Sequence, residues 1–315
     1  MATETNTALV VRVAKGQPPR LSKQDIPRPS PAANQVLVKV SHVALNPTDA
    51  KGDVVAGLVW GGEVKGLGAY SQYCLADERI SFKIPVSVSR AHASTVPLAA
   101  ATAWLALFSK DCLALDRTQA KGTSVLVWGG SSSVGLYTIQ LASICGFDVV
   151  TTCSPKHFDL ARSYGAKHVF DYKEPDVAKE IREVAPSLIH VFDTIGNKNS
   201  SATASHTLRP GAGTLCTVRP GKANTENVAT GTRVADVLVW TALLKDHRYG
   251  EFKWPASEDD HELASELFEN LPTWLEESII KPNNPKVLPG LDAVAGGFQE
   301  HRDGKISAYK IVYEL

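Results

Sequence analysis

Apolar and polar positions fall into two regimes along the 315 residues. Over the first ninety, short apolar runs alternate with proline and glycine. Segments 8–14 and 35–45 read as strands on either side of the proline-rich stretch Pro27 to Pro31, and Tyr70 to Ala76 reads as another. Gly52, Gly57, Gly61, Gly62, Gly66 and Gly68 punctuate the chain between them. This part is predicted to be a small, mostly β unit. From about residue 96 helical and strand patterns alternate, with strands at 124–128, 148–153, 167–171, 188–194 and 213–218. Such alternation predicts right-handed crossovers and a parallel sheet covered on both faces. Leu263, Leu267, Leu271, Trp274 and Leu275 mark a long amphipathic helix. Tyr309 to Tyr313 reads as a last strand that returns to the first unit.

The first strand of the alternating region runs straight into a turn of small residues: Val125-Leu126-Val127-Trp128-Gly129-Gly130-Ser131-Ser132-Ser133-Val134-Gly135. A helix face follows at Val134, Tyr137, Leu141, Ala142 and Cys145. Strand, glycine turn and helix in succession make a phosphate site. The helix's first N–H groups lack intrahelical partners, its dipole end is positive, and glycines let a pyrophosphate approach the backbone.

The next strand, Asp148 to Cys153, ends at Ser154-Pro155-Lys156. A dinucleotide fold usually places a ribose-reading acid close to this point. A hydroxyl and an ammonium stand there instead, and both suit a 2′-phosphate better than a 2′-hydroxyl. NADPH is therefore the expected cofactor. Read structurally, Ser154 caps the following helix with Pro155 at its first position, Gly165 stops it, and Lys156 is a solvated first-turn residue.

Charge adds only exclusions. Lysine plus arginine and aspartate plus glutamate each number 33, so nothing points to nucleic acid, an anionic membrane or a charge-steered partner. The five cysteines (Cys74, Cys112, Cys145, Cys153, Cys216) have no paired or metal-ligand spacing and fit a reducing interior. A catalytic zinc needs about three clustered ligands and a structural one four cysteines. Neither constellation is visible, and His42 and His92 stand alone. The first thirty residues hold no run suited to a signal peptide, and Val96 to Phe108 is too short to span a bilayer and reads as a buried helix. A cytoplasmic protein is expected.

These residues, with Ala44-Leu45-Asn46-Pro47-Thr48-Asp49-Ala50-Lys51, Gly68-Ala69-Tyr70-Ser71-Gln72-Tyr73, Leu160 to Ala166, Val169-Phe170-Asp171-Tyr172, Phe192 to Gly196 and Gly304-Lys305-Ile306-Ser307, resemble the medium-chain dehydrogenase/reductase superfamily. The likeness covers nearly the whole chain and is nearest the zinc-independent, fungal trans-acting enoyl reductases that serve polyketide synthases. It implies an α/β fold: a doubly wound Rossmann sheet at 96–282, with a chaperonin-10-like β domain at 1–95 and 283–315. It also implies that Gly129, Gly130, Ser132, Ser133, Val134 and Gly135 hold the cofactor's pyrophosphate, and Ser154, Lys156 and Tyr172 its adenosine phosphate end. Lys51 would orient substrate or stabilise a developing enolate, while Thr48 and Thr102 would hydrogen-bond near the nicotinamide. Turn-capping and solvated roles also suit Thr48 and Lys51 by residue type.

One part of the family pattern is missing. After Lys51 the chain passes directly to Gly52-Asp53-Val54-Val55-Ala56-Gly57, where the resembled enzymes carry several tens of residues more. The β domain is thus expected to be truncated, with a wider substrate cleft. The implied function is NADPH-dependent reduction of an α,β-unsaturated polyketide thioester, free or carried by a synthase. The alternatives are a repurposed non-redox cyclase or isomerase, an accessory protein that binds NADPH or a synthase domain without turnover, or a quinone or enone reductase. The irregular segment Thr232 to His261, with Trp240 and Trp254, favours a monomer over sheet extension between two copies.

Overall fold

The computed structural model describes residues 5–12, 20–43, 53–61, 68–249 and 251–315. The chain divides into two compact units, Met1–Leu98 with Ser265–Leu315, and Ala99–Ala264. The second boundary cuts the helix Glu258–Glu276, which contains Leu267, Leu271 and Leu275 as buried positions.

The unit Ala99–Ala264 is built on six parallel strands: β1 (Ser124–Trp128), β2 (Asp148–Cys153), β3 (His168–Asp171), β4 (His190–Asp193), β5 (Thr214–Thr217) and β6 (Arg233–Asp236). Their order is β3-β2-β1-β4-β5-β6, so the winding reverses between β1 and β4. A doubly wound Rossmann-type sheet leaves a crevice at that reversal, outside the carboxyl ends of its strands. Every residue of β1 after Ser124 and of β2 after Asp148 is buried, as strands covered on both faces should be. Leu126, Val150, Val191 and Leu215 carry the sheet's side of one core cluster, and Ile181, Leu188 and Leu208 pack on it.

Several elements differ from the sequence expectation. β6 lies inside the segment expected to be irregular; its two apolar residues, Val234 and Ala235, stand between charged ends and give no alternation to read. The same segment also folds a short hairpin, His247–Tyr249 with Phe252–Trp254. After β2, Pro155–His157 form a single 3-10 turn ahead of the helix Phe158–Ser163, and the Ser154 hydroxyl makes no cap bond. By length and composition the stretch Arg90–Phe108 suffices to cross a membrane, longer than Val96 to Phe108 because the turn at Arg90–Ala93 joins it. As a core helix would be, it is 78% buried in the fold.

The other unit is assembled from short antiparallel pairings: Thr5–Arg12 with Arg20–Pro27, Gln35–Lys39 with Tyr73–Asp77, and Val55–Gly57 with Ser81–Lys83. The C-terminal strand Lys310–Glu314 pairs with His42–Val43, setting Tyr313 opposite Val43, so the chain does return to its first part. It also pairs in parallel with Pro285–Pro289. Arg20–Pro27 escaped the pattern because Ile26 is its one buried residue.

Candidate cofactor-binding site

The turn after β1 is closed by backbone bonds that its glycines permit. The Gly129 and Gly130 N–H groups both donate to the Thr152 carbonyl of β2, at 3.2 and 2.8 Å. Gly129 has φ +89°, and a Cβ there would lie 2.6 Å from the Ile195 side chain. A Cβ on Gly130 would meet the Thr151 hydroxyl at 2.1 Å, and one on Gly135 the Gly129 carbonyl at 2.3 Å. The first turn of the helix Ser133–Ile144 therefore lies against the glycine turn with no room for a side chain. Ser132 is its N-cap, and its hydroxyl accepts from the Gly135 N–H at 2.9 Å. Among the described residues the Ser131 and Val134 N–H groups meet no protein acceptor. Two such donors at the positive end of a helix suit an anion.

The far side of the crevice is set by the residues after β4, where sequence reasoning assigned no role. Asp193, fully buried, accepts from the Ser200 and Ser201 hydroxyls, each at 2.6 Å, and from the Ile195 and Gly196 N–H groups at 2.9 and 3.0 Å. Arg219 Nε and Asn224 Nδ2 both donate to the Gly196 carbonyl, at 2.9 and 2.8 Å. Thr194 reaches back to the glycine turn and to Ser132. The signal that could have singled it out is its position: a β-branched hydroxyl directly after the strand that borders β1.

Ser154, Lys156 and Tyr172 stand at the same end of the sheet. β2 and β3 run parallel with Cys153 opposite Asp171, so Ser154 and Tyr172 leave neighbouring strand ends. The Ser154 hydroxyl bonds to no protein group among the described residues. Lys156 is exposed and forms no ion pair there, and Tyr172 is 44% exposed. Lys173, which sequence reasoning passed over, adds an ammonium 5.8 Å from the Tyr172 ring centroid. Burial, with the Lys156 charge adding to it, lowers the His157 pKa. Burial and then Asp171 push the Cys153 thiol up to about 11, consistent with an inert core residue.

Thr102 is 8% exposed on the helix Pro97–Phe108. Lys51 and Thr48 lie outside the described residues, as does the rest of the Ala44 to Gly52 segment. Among the described residues no three His, Cys, Asp or Glu side chains group as metal ligands.

The family described as zinc-binding dehydrogenase matches residues 133–242. The dehydrogenase azaJ of Aspergillus niger is 30% identical over 99% of both chains. The trans-enoyl reductase ACTTS2 of Alternaria alternata is 29% identical, again over 99% of each. That alignment runs over 353 positions against 315 residues here, so the relative carries a few tens of positions without a counterpart. Among solved structures, mycobacterial Rv1454c complexed with NADPH superposes with a TM-score of 0.73 at 19% identity, covering 99% of this chain and 100% of that one. The chain belongs to the medium-chain dehydrogenase/reductase superfamily of oxidoreductases, close to the fungal trans-enoyl reductases.

Proposed function

We propose that this oxidoreductase is a cytoplasmic, NADPH-dependent trans-acting enoyl reductase, which saturates the α,β C=C bond of a polyketide thioester in secondary-metabolite biosynthesis. The observation that carries the cofactor half is the corner at Ser154, Lys156 and Tyr172. A hydroxyl and an ammonium, neither of them paired among the described residues, stand beyond β2 in place of an acid. They favour a 2′-phosphate over a bare ribose hydroxyl.

The chain's residues fit that cofactor. Gly129, Gly130 and Gly135 occupy positions that a Cβ would fill, and the Ser131 and Val134 N–H groups, without a protein acceptor among the described residues, stand at the helix end. Ser154 and Lys156 would hold the 2′-phosphate, and Tyr172 would cover the adenosine side. When bound, the nicotinamide supplies the hydride. For the substrate half the support is membership of the family and the names of its relatives. Lys51 would act as the cation facing the enolate oxygen formed as the β-carbon is reduced, with Thr48 and Thr102 as hydroxyls orienting the nicotinamide side. Mixing the purified protein with NADPH and an enoyl thioester tests the reading. Nicotinamide absorbance should fall together with appearance of the saturated thioester. A folded protein that turns the substrate over at constant absorbance would instead be a non-redox cyclase or isomerase.

A further inference from the structure

Thr194 leaves β4 where that strand borders β1, and its hydroxyl lies close to three oxygens of the glycine turn. These are the Trp128 carbonyl at 2.9 Å, the Gly129 carbonyl at 3.0 Å and the Ser132 hydroxyl at 2.8 Å. The side chain is 8% exposed, and its own backbone N–H donates to the same Trp128 carbonyl at 3.1 Å. We propose that Thr194 is a positioning residue for the cofactor: it holds the turn in the shape that presents the Ser131 and Val134 N–H groups to a dinucleotide pyrophosphate. The inference rests on the NADPH reading above.

The direction of the protons follows from what each oxygen can do. A carbonyl only accepts, and two oxygens at hydrogen-bond distance with no hydrogen between them repel. The single Thr194 proton is therefore shared between the Trp128 and Gly129 carbonyls, and its lone pair is left to accept from Ser132. Ser132 in turn accepts from the Gly135 N–H. The chain runs from Gly135 N–H to Ser132, from Ser132 to Thr194, and from Thr194 to the two carbonyls.

Two consequences bear on the site. The Ser132 proton is used inside the protein, so Ser132 caps the helix and does not donate to phosphate; the backbone donors do. And the two carbonyls beside the cradle, which already accept from the Thr194 and Ser132 N–H groups, gain a further shared proton, which lowers their repulsion for an arriving anion.

The test compares two ligands by calorimetry on the full chain: NADP+, which carries the pyrophosphate, and adenosine 2′-monophosphate, which does not. Thr194→Val should weaken NADP+ about tenfold, as loss of one well-placed hydrogen bond predicts, and leave adenosine 2′-monophosphate within about twofold. Thr194→Ser, which keeps the hydroxyl, should restore NADP+ binding. Thr194→Cys, a weaker donor of similar size, should fall between them and replaces the valine variant if that does not fold. Unchanged NADP+ affinity in Thr194→Val, or equal weakening of both ligands, overturns the inference. A wild-type chain that binds neither ligand overturns the NADPH reading, and this inference with it.

Discussion

Cys153 and Asp171 face each other at the paired ends of two parallel strands, which is why Ser154 and Tyr172 emerge side by side from one edge of the sheet. Replacing Ser154 and Lys156 together by alanine should weaken NADPH binding tenfold or more, since a hydrogen bond to a charged group contributes roughly 1.5–3 kcal/mol. NADH should be unaffected. Ser154→Asp should reverse the preference toward NADH, by repelling the 2′-phosphate and accepting from the ribose. Dissociation constants for the two cofactors, measured by fluorescence titration, check both variants.

Gly135→Ala brings a Cβ to 2.3 Å from the Gly129 carbonyl and 2.9 Å from the Gly130 Cα, both backbone atoms with little freedom to yield. The helix must shift away from the turn. The expected cost is about 1–3 kcal/mol of stability, together with loss of measurable NADPH binding. A thermal melt with and without NADPH reads both, because the variant should lose the cofactor-dependent rise in Tm that the wild type shows.

Asp193→Ala leaves two buried hydroxyls and two N–H groups without their acceptor. The loss should be about 3 kcal/mol, seen as a fall of several degrees in Tm. Asp193→Asn keeps an acceptor oxygen but sets an amide donor against donors, and should fall between the two.

Lys310 gives the pH prediction. Burial lowers its pKa from 10.5 to about 8, so the native state disfavours the charged amine. Below about 8 the amine is charged folded and unfolded alike, and the native state bears the full penalty. Between about 8 and 10.5 the unfolded chain binds the extra proton, and stability rises with pH. Lys310→Met should therefore raise the denaturation midpoint at neutral pH. That gain should shrink as pH climbs through the window, as urea melts across it would record.

Much of this was legible in the sequence. Val125 to Trp128 is an unbroken buried apolar run and Val149 to Cys153 is a buried run rich in β-branched residues, as strands covered on both faces of a parallel sheet should be. The glycines were legible for the same kind of reason: close approach of backbone leaves no substitute. Arg20–Pro27 was hidden because a strand with one buried residue has no side to mark, and β6 because an edge strand of four residues has too few positions for a period. Thr194 has no role legible in the sequence, since its work depends on a partner 62 residues away. The Ser154 cap was a reasonable local reading that the 3-10 turn at Pro155 did not take up, which leaves the hydroxyl available.

Hydride transfer to a conjugated thioester can be followed by isotope transfer. NADPH deuterated at the transferable position of the nicotinamide is incubated with the protein and an enoyl thioester, and the product is examined by mass spectrometry and NMR. One deuterium is expected on the β-carbon of the saturated thioester. A product without deuterium, or a folded protein that binds NADPH and leaves the thioester unreduced, would contradict it.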